Sequence, residues 1–516
     1  MRHINLRTIV VSFLLVQSLT ALAQKDSVSV AVKVDLKKER IILVSGEDKG
    51  AFIIRVPAIQ SSSVVIDKYD TLLAPVWSKQ VEYSQDYYLR FHKFTNHRLY
   101  LVLSNGASTN FEIVDVHPED GSYSISKIYN FSRPFSVNDL EAYDNRVWIS
   151  GEMGNDPAAF SLDEDLGKFE SLPLESPFPI YAIYDMSFDE ERKRLDLFLS
   201  TRINKRKCFL VKGVNMDGSL AENLVIQSQE RYNLSTIAFS DNEHIGVTHI
   251  LGTFYRKSET SPDGIYLYEL ENDSITSYKY ILFEELREIN QAVPYEDVQV
   301  NTSLNNARKT GIREAGPMII DNFSKIDGGY LFALEVFHKK GEETTDGDDD
   351  QNRQEDEPEE KESELSKEES IMVERSERFS NEDALAYRFL DLIVGKEKSE
   401  GYEYDRTYLI HLTRALEPYE YKALDFGEGT GELFAAQHGN VTLIDNTAKV
   451  VYQYRKGYRK VVLDPNFLKV LDKDEHYEDY NLPYLKKWFD HYYFHYGYFS
   501  SGSKDEVMLL IERLDI

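Results

Sequence analysis

The stretch Asn110–Phe131, NFEIVDVHPEDGSYSISKIYNF, decides the fold class. Phe111, Ile113 and Val116 are interleaved with Glu112 and Asp115, close to the two-residue period of a β-strand. His117–Ser122 then gathers Pro, Asp and Gly where the chain must reverse, and Tyr123–Ser126 resumes the alternation. Strand, reversal and strand make a hairpin.

Similar stretches recur on both sides. They are AFIIRVPAIQSSSVVIDKY (Ala51–Tyr69), AAFSLDEDLGKFESLPL from Ala158, CFLVKGVNMDGSLAENLVIQ from Cys208, GIYLYELENDSITSYKYILF from Gly264 and TYLIHLTRALEPYEYKALDF from Thr407. The leading aromatics Phe52, Phe111, Phe160, Phe209, Tyr266 and Tyr408 are spaced by 59, 49, 49, 57 and 142 residues. A second hairpin lies between successive copies, as in YYLRFHKFTNHRLYLVLS from Tyr87, LEAYDNRVWISGE from Leu140 and STIAFSDNEHIGVTHIL from Ser235. The repeating unit therefore has four strands, and such units arranged around an axis make an all-β fold, the β-propeller. At the level of architecture the chain resembles kelch-like and NHL-like propellers, although it carries no blade motif specific to either.

A further compact copy runs from Glu432 to Leu463, and the C-terminus offers one more hairpin from Tyr492. Taking that hairpin as the inner half of a blade and Ala51–Tyr69 as its outer half closes a ring of seven, with six to eight blades compatible with the spacing. N- and C-terminal strands placed side by side would remove the exposed sheet edges of an open array. The competing readings are a pair of β-sandwiches, and an eight-bladed ring in which Ser27–Ser45 belongs to a separate blade. Residues 24–516 are thus expected to form one propeller domain.

Two inserts account for the 142-residue interval: Glu285–Gly316, and an acidic stretch over residues 341–401. Between Glu342 and Ser370 it holds 15 acidic and 3 basic side chains, a composition that cannot bury enough apolar surface to order itself. Asn381-Glu382-Asp383 before ALAYRFLDLIV predicts a capped helix over residues 382–394.

Strand parity predicts where these inserts emerge. In an up-and-down blade, the connection from second to third strand leaves from the same face as the connection to the next blade. That face gathers Arg133, Phe135, Phe178, Tyr181, Arg231 and Tyr232, with Arg308 and Arg313 from the first insert. Arginine forks among aromatic rings suit a carboxylate, a phosphate or a sugar, and Arg133, Phe135, Tyr181, Arg231, Tyr232, Arg308 and Arg313 are the candidate ligand-binding residues.

The chain carries 88 acidic and 59 basic residues, a net charge of -29, which speaks against a nucleic-acid partner. Its one cysteine, Cys208, allows no internal disulfide and no cysteine-based zinc cluster. Arg2, His3 and Arg7, an apolar run over Ile9–Val16 and the Ala21-Leu22-Ala23 site read as a cleaved signal peptide over residues 1–23. The mature chain is expected to be periplasmic or extracellular, with no transmembrane segment.

Catalytic signals are weaker. LDFGEGTGELFAAQHGNVTLID, Leu424–Asp445, resembles motif I of the class I methyltransferases that use S-adenosylmethionine, with Gly427, Gly429 and Gly431 as the loop and Asp445 as the ribose-holding acid. The segment between Gly431 and Asp445 is short for a crossover helix, and no alternation of strand and helix follows. His491 and His495 beside Asp490 have a spacing that could support a metal but lack a third ligand, and Asp346, Asp348 and Asp350 only begin a calcium loop. No cofactor and no metal are expected. The function expected is a binding or scaffolding module for a peptide, a glycan or an envelope protein. The alternative is a secreted propeller enzyme, such as a glycoside hydrolase or lyase, working through channel-facing carboxylates.

Overall fold

The computed structural model describes residues 28–58, 62–163, 167–239, 247–256, 262–271, 274–283, 293–294, 317–326, 329–339, 402–413, 421–425, 439–444, 447–454, 457–464, 469–477, 481–489, 491–500 and 507–515. These fall into eight sheets, each an antiparallel meander of four principal strands. Blade 1 is Glu39–Ser45, Ala51–Pro57, Ser63–Tyr69 and Pro75–Glu82. Blade 2 is Tyr87–Thr95, Arg98–Asn105 and Asn110–Val116, the last paired with both Tyr123–Ile125 and Tyr129–Asn130. Blade 3 is Phe135–Tyr143, Arg146–Met153, Asp156–Asp163 and Lys168–Ser171, and blade 4 is Ile180–Asp189, Arg194–Ile203, Arg206–Asn215 and Leu220–Ile226. In blade 5 the short strands Asn233–Leu234 and Ala238–Phe239 together pair with Val247–Tyr255, followed by Gly264–Glu271 and Ser274–Leu282. Blade 6 is Met318–Ile326, Gly329–Lys339, Tyr402–Thr413 and Tyr421–Asp425, with Val293–Pro294 parallel to the last. Blade 7 is Gly439–Ile444, Thr447–Tyr454, Gly457–Asp464 and Lys469–Tyr477. Blade 8 is Asn481–Phe489, Tyr492–Ser500, Val507–Asp515 and, from the other end of the chain, Val28–Val34.

The core lies between blades. Successive side chains of a strand point to opposite faces, so a sheet flanked on both sides buries both sets. In blade 5, Ile250, Tyr266 and Tyr268 pack against Phe209 and Tyr184 of blade 4, while Leu251, Ile265 and Leu267 pack against Phe332 and Leu334 of blade 6. This double burial explains near-continuous apolar runs such as Gly264–Tyr268. Comparable clusters join blades 1 to 2, 2 to 3 and 3 to 4. Others join blades 6 to 7, 7 to 8 and 8 back to 1. Every sheet thus packs on the one before and the one after, and the last packs on the first. The chain is a β-propeller.

Closure is made by strand pairing and by polar contacts. Val28–Val34 runs antiparallel to Val507–Arg513, from Val28 opposite Arg513 to Val34 opposite Val507. Across the junction of blades 8 and 1, Trp488 Nε1 donates to Gly50 O at 2.9 Å, Lys486 Nζ to Leu43 O at 2.9 Å, and Ser45 Oγ to Trp488 O at 2.8 Å.

Eight sheets replace the seven that the spacing favours, and the difference is one of phase. Phe111, Phe160, Phe209, Tyr266 and Tyr408 lie in the third strands of their blades, whereas Phe52 lies in a second strand. The equivalent hairpin of blade 1 is Ser63–Glu82, whose first strand SVVIDKY has no leading aromatic. Ala51–Tyr69 and the C-terminal hairpin therefore belong to different blades. Ser27–Ser45 is not a separate blade either, because its two strands close blade 8 and open blade 1.

Connectivity at the inserts is as parity requires: Lys339 ends a second strand and Tyr402 begins a third. Residues 1–23, 341–401 with the helix expected at 382–394, Arg308, Arg313 and the loop Gly427–Gly431 lie outside the described residues. Among the described residues no helix is long and apolar enough to cross a membrane.

Candidate functional site: an arginine and tyrosine pocket at one end of the ring

Innermost strands depart from regular pairing more than their neighbours. The first strand of blade 2 shifts register between Leu89 and Phe91, that of blade 3 between Val137 and Asp139, and that of blade 4 twice, around Tyr181 and Tyr184. A bulge re-aims the side chain it inserts and is common beside binding sites. Here the inserted residues include Arg90 and Tyr181.

Arg90 opens onto a cavity of about 370 Å³ at the junction of blades 1 and 2. Its walls are Arg40 at the start of blade 1, Val56–Ala58 at the end of that blade's second strand, Tyr83, and Tyr87–Arg90 with His92. All of these sit at the end of the ring from which the second-to-third and blade-to-blade connections leave. Arg90 Nε donates to Ser104 Oγ at 2.8 Å and Nη2 to Asn105 O at 3.3 Å, and its guanidinium lies 5.4 Å from the centroid of the Tyr88 ring. These contacts hold the fork at the mouth and leave it solvent-exposed. Glu112, buried in blade 2, accepts from Ser84 N at 2.7 Å and Ser84 Oγ at 2.6 Å, which fixes the turn beside Tyr83.

The electrostatics are those of a cationic pocket. Burial, then the neighbouring Arg90, pulls Arg40 below its usual value. His92 is driven down to about 3 by burial first and then by Lys486 and Arg40, so its imidazole is neutral. Burial pushes the Tyr83 hydroxyl up to about 12, with Glu112 adding to it, so the phenol stays protonated. No aspartate or glutamate is among the described residues that line the cavity.

The described candidate residues from the sequence fall on the same end of the ring but do not form one cluster, and Arg308 and Arg313 lie outside the described residues. Arg133, in the connection into blade 3, pairs with Asp156 at 2.8 Å, and both are exposed. Tyr181 is 54% exposed, with the Arg202 guanidinium 5.3 Å from its ring. Arg231 is exposed with a positive φ of 66°. Phe135 corrects its expectation: at 1% exposure it packs in the core between blades 2 and 3, edge-on to Phe111 and Phe160. Tyr232 is half-buried, stacked on Phe254 at 4.7 Å. Sequence reading missed Arg40, Arg90 and Tyr88; Leu89-Arg90-Phe91 alternates like any half-exposed strand, and the bulge at Arg90 shows only in the pairing register.

His495 is fully buried, its Nδ1 3.4 Å from Glu512 Oε2, while His491 lies against the Tyr492 ring. Glu47, Asp48 and His97 come within ligand distance of one another at the opposite end of the ring, all three exposed. Asp139 and Glu141, on the first strand of blade 3, are bridged by Lys93 Nζ at 3.0 and 2.6 Å. Tyr421–Asp425 ends blade 6 and Gly439–Ile444 begins blade 7. The methyltransferase-like strands therefore do not pair with each other, as motif I requires.

No protein-family model matches the sequence, and neither does any curated protein. Among solved structures, the WD40 domain of SCAP from fission yeast matches with a TM-score of 0.42 at 6% identity, over 95% of this chain and 98% of that one. The polysaccharide lyase Uly1 matches at 0.39 and 6% identity, over 95% and 99% of the two chains. The dihydro-heme d1 dehydrogenase NirN matches at 0.37 and 10%, over 86% and 74%. Similarity at this level says nothing of what this chain binds.

Proposed function

We propose that the protein is an exported binding module that holds a peptide, a glycan or an envelope protein at the end of the ring carrying the Arg40 and Arg90 pocket. The observation that carries the reading is the cavity itself: concave, lined by tyrosine and arginine, and at the end of the ring from which the second-to-third and blade-to-blade connections leave. Tyrosine and arginine supply large contact area and planar donors, the groups that dominate binding surfaces. Arg133, Tyr181, Arg231 and Tyr232, with Arg308 and Arg313, would widen the contact. Export rests on the signal-like residues 1–23.

The test is a screen of the immobilised full chain against envelope polysaccharide fragments and peptides, with each hit checked for cleavage. Saturable binding without bond breaking, weakened by substituting Tyr88 and Tyr181 with alanine, is the expected outcome. Turnover of a glycan would replace this reading with the secreted-enzyme one. Sequencing the N-terminus of the exported product should begin at Gln24, and recovery of the chain only from the cytoplasm would refute export.

A further inference from the structure

We propose that the pocket between blades 1 and 2 takes the anionic group of its ligand, a carboxylate or a phosphate, between the guanidinium groups of Arg40 and Arg90. The inference rests on reading this end of the ring as a binding surface and adds the chemistry of what is bound there.

Local charge runs against the average of the molecule. The chain as a whole carries -29, yet the described residues lining this cavity include two arginines and a histidine and no carboxylate. An anion is attracted by that arrangement, and a cationic ligand is repelled. Arg40 is half-buried and close enough to Arg90 for repulsion between them to register in its ionisation. An anion between two such groups relieves that repulsion and accepts from planar forks, the geometry that distinguishes arginine from lysine.

The neighbouring groups favour the same ligand. Lys486, on the inner strand of blade 8, adds positive charge behind His92 while its Nζ bonds Leu43 O. His92 is uncharged, so it adds no charge of its own to the two arginines of the cavity wall. Tyr88, 39% exposed at the mouth beside Arg90, presents an aromatic ring to whatever carries the anion. The bulge at Arg90 and the Glu112 clamp on Ser84 hold these groups in place before a ligand arrives, which lowers the entropic cost of binding.

The experiment is isothermal titration of the full chain with inorganic phosphate, D-glucuronate, an acetylated dipeptide with a free carboxylate, and D-glucose. Saturable binding of phosphate or of a carboxylate, but not of glucose, is expected, and which anion binds more tightly identifies the source. Arg40→Gln and Arg90→Gln should each weaken it at least tenfold, Arg40→Lys should restore part of it, and the exposed Lys168→Gln in blade 3 should leave it unchanged. Arg90 lies at the surface, so its loss tests the site even if Arg40→Gln unfolds. Failure of every anion to bind, or equal binding by wild type and both glutamine variants, overturns the inference. If a glycan or peptide from the functional screen binds Arg90→Gln as it binds wild type, the anion assignment falls while the binding surface stands. If the screen itself yields no ligand, the surface reading falls with it.

Discussion

His92 shows what a single buried group adds to pH behaviour. In the unfolded chain its imidazole takes a proton near pH 6.5, but in the folded protein only near pH 3. Between those values the unfolded state binds the extra proton, so the stability tied to His92 is complete above pH 6.5 and is lost as pH falls. From pH 6.5 to 4.5 the loss is about 2 kcal/mol. Urea midpoints measured at pH 7.5 and 4.5 should therefore differ less for His92→Asn than for wild type, and an equal difference would contradict the assignment. Legibility at this scale is uneven. Arg133 and Tyr181 lie exposed at the end of the ring where loops and parity put them, whereas Phe135 looked like a loop aromatic and is core. Arg90 was hidden because Leu89-Arg90-Phe91 keeps the ordinary strand period and its bulge is a matter of pairing, and Arg40 because it follows Glu39 in an ordinary strand start.

At the scale of the element, double burial made strands easy to find and hard to phase. With apolar side chains on both faces, a run such as Ala51–Ile54 does not show which strand of a blade it is, and a leading aromatic became the only marker. Blade 1 lacks that marker in its third strand, so one blade disappeared from the count. The hairpins themselves were legible, since their turns carry the Gly, Asp, Asn and Pro that reversals need. The strand Val28–Val34 gives the sharpest test at this level. Val32 and Val34 are buried among Leu509, Ile511 and the first strand of blade 1. Replacing both by aspartate removes apolar burial and places charge in that interface, at a cost of at least about 3 kcal/mol. The urea midpoint should fall accordingly, with the C-terminal strands cut first in limited proteolysis; an unchanged midpoint would mean that the pairing contributes little.

At the scale of the whole molecule, each blade is covered only by its neighbours, so the ring is stable as a set. Cys208, in the third strand of blade 4, reports on that set. It is buried, and burial raises its thiol to about 11, so both access and thiolate are withheld in the folded protein. A thiol reagent such as Ellman's should label the native chain at least about a hundredfold more slowly than the urea-unfolded chain, because reaction waits on opening of that blade. Similar rates would show that blade 4 opens by itself. The pairing of Val28–Val34 with Val507–Arg513 also sets an order of events in time. Among the described strands, the first to be synthesised is the partner of the last, so it must be kept unpaired while every intervening described blade forms. During that interval the molecule presents an adhesive edge, and two incomplete copies can satisfy it by exchanging strands. Ring closure is therefore also the step at which a helper that shields the first strand would raise the yield of monomer.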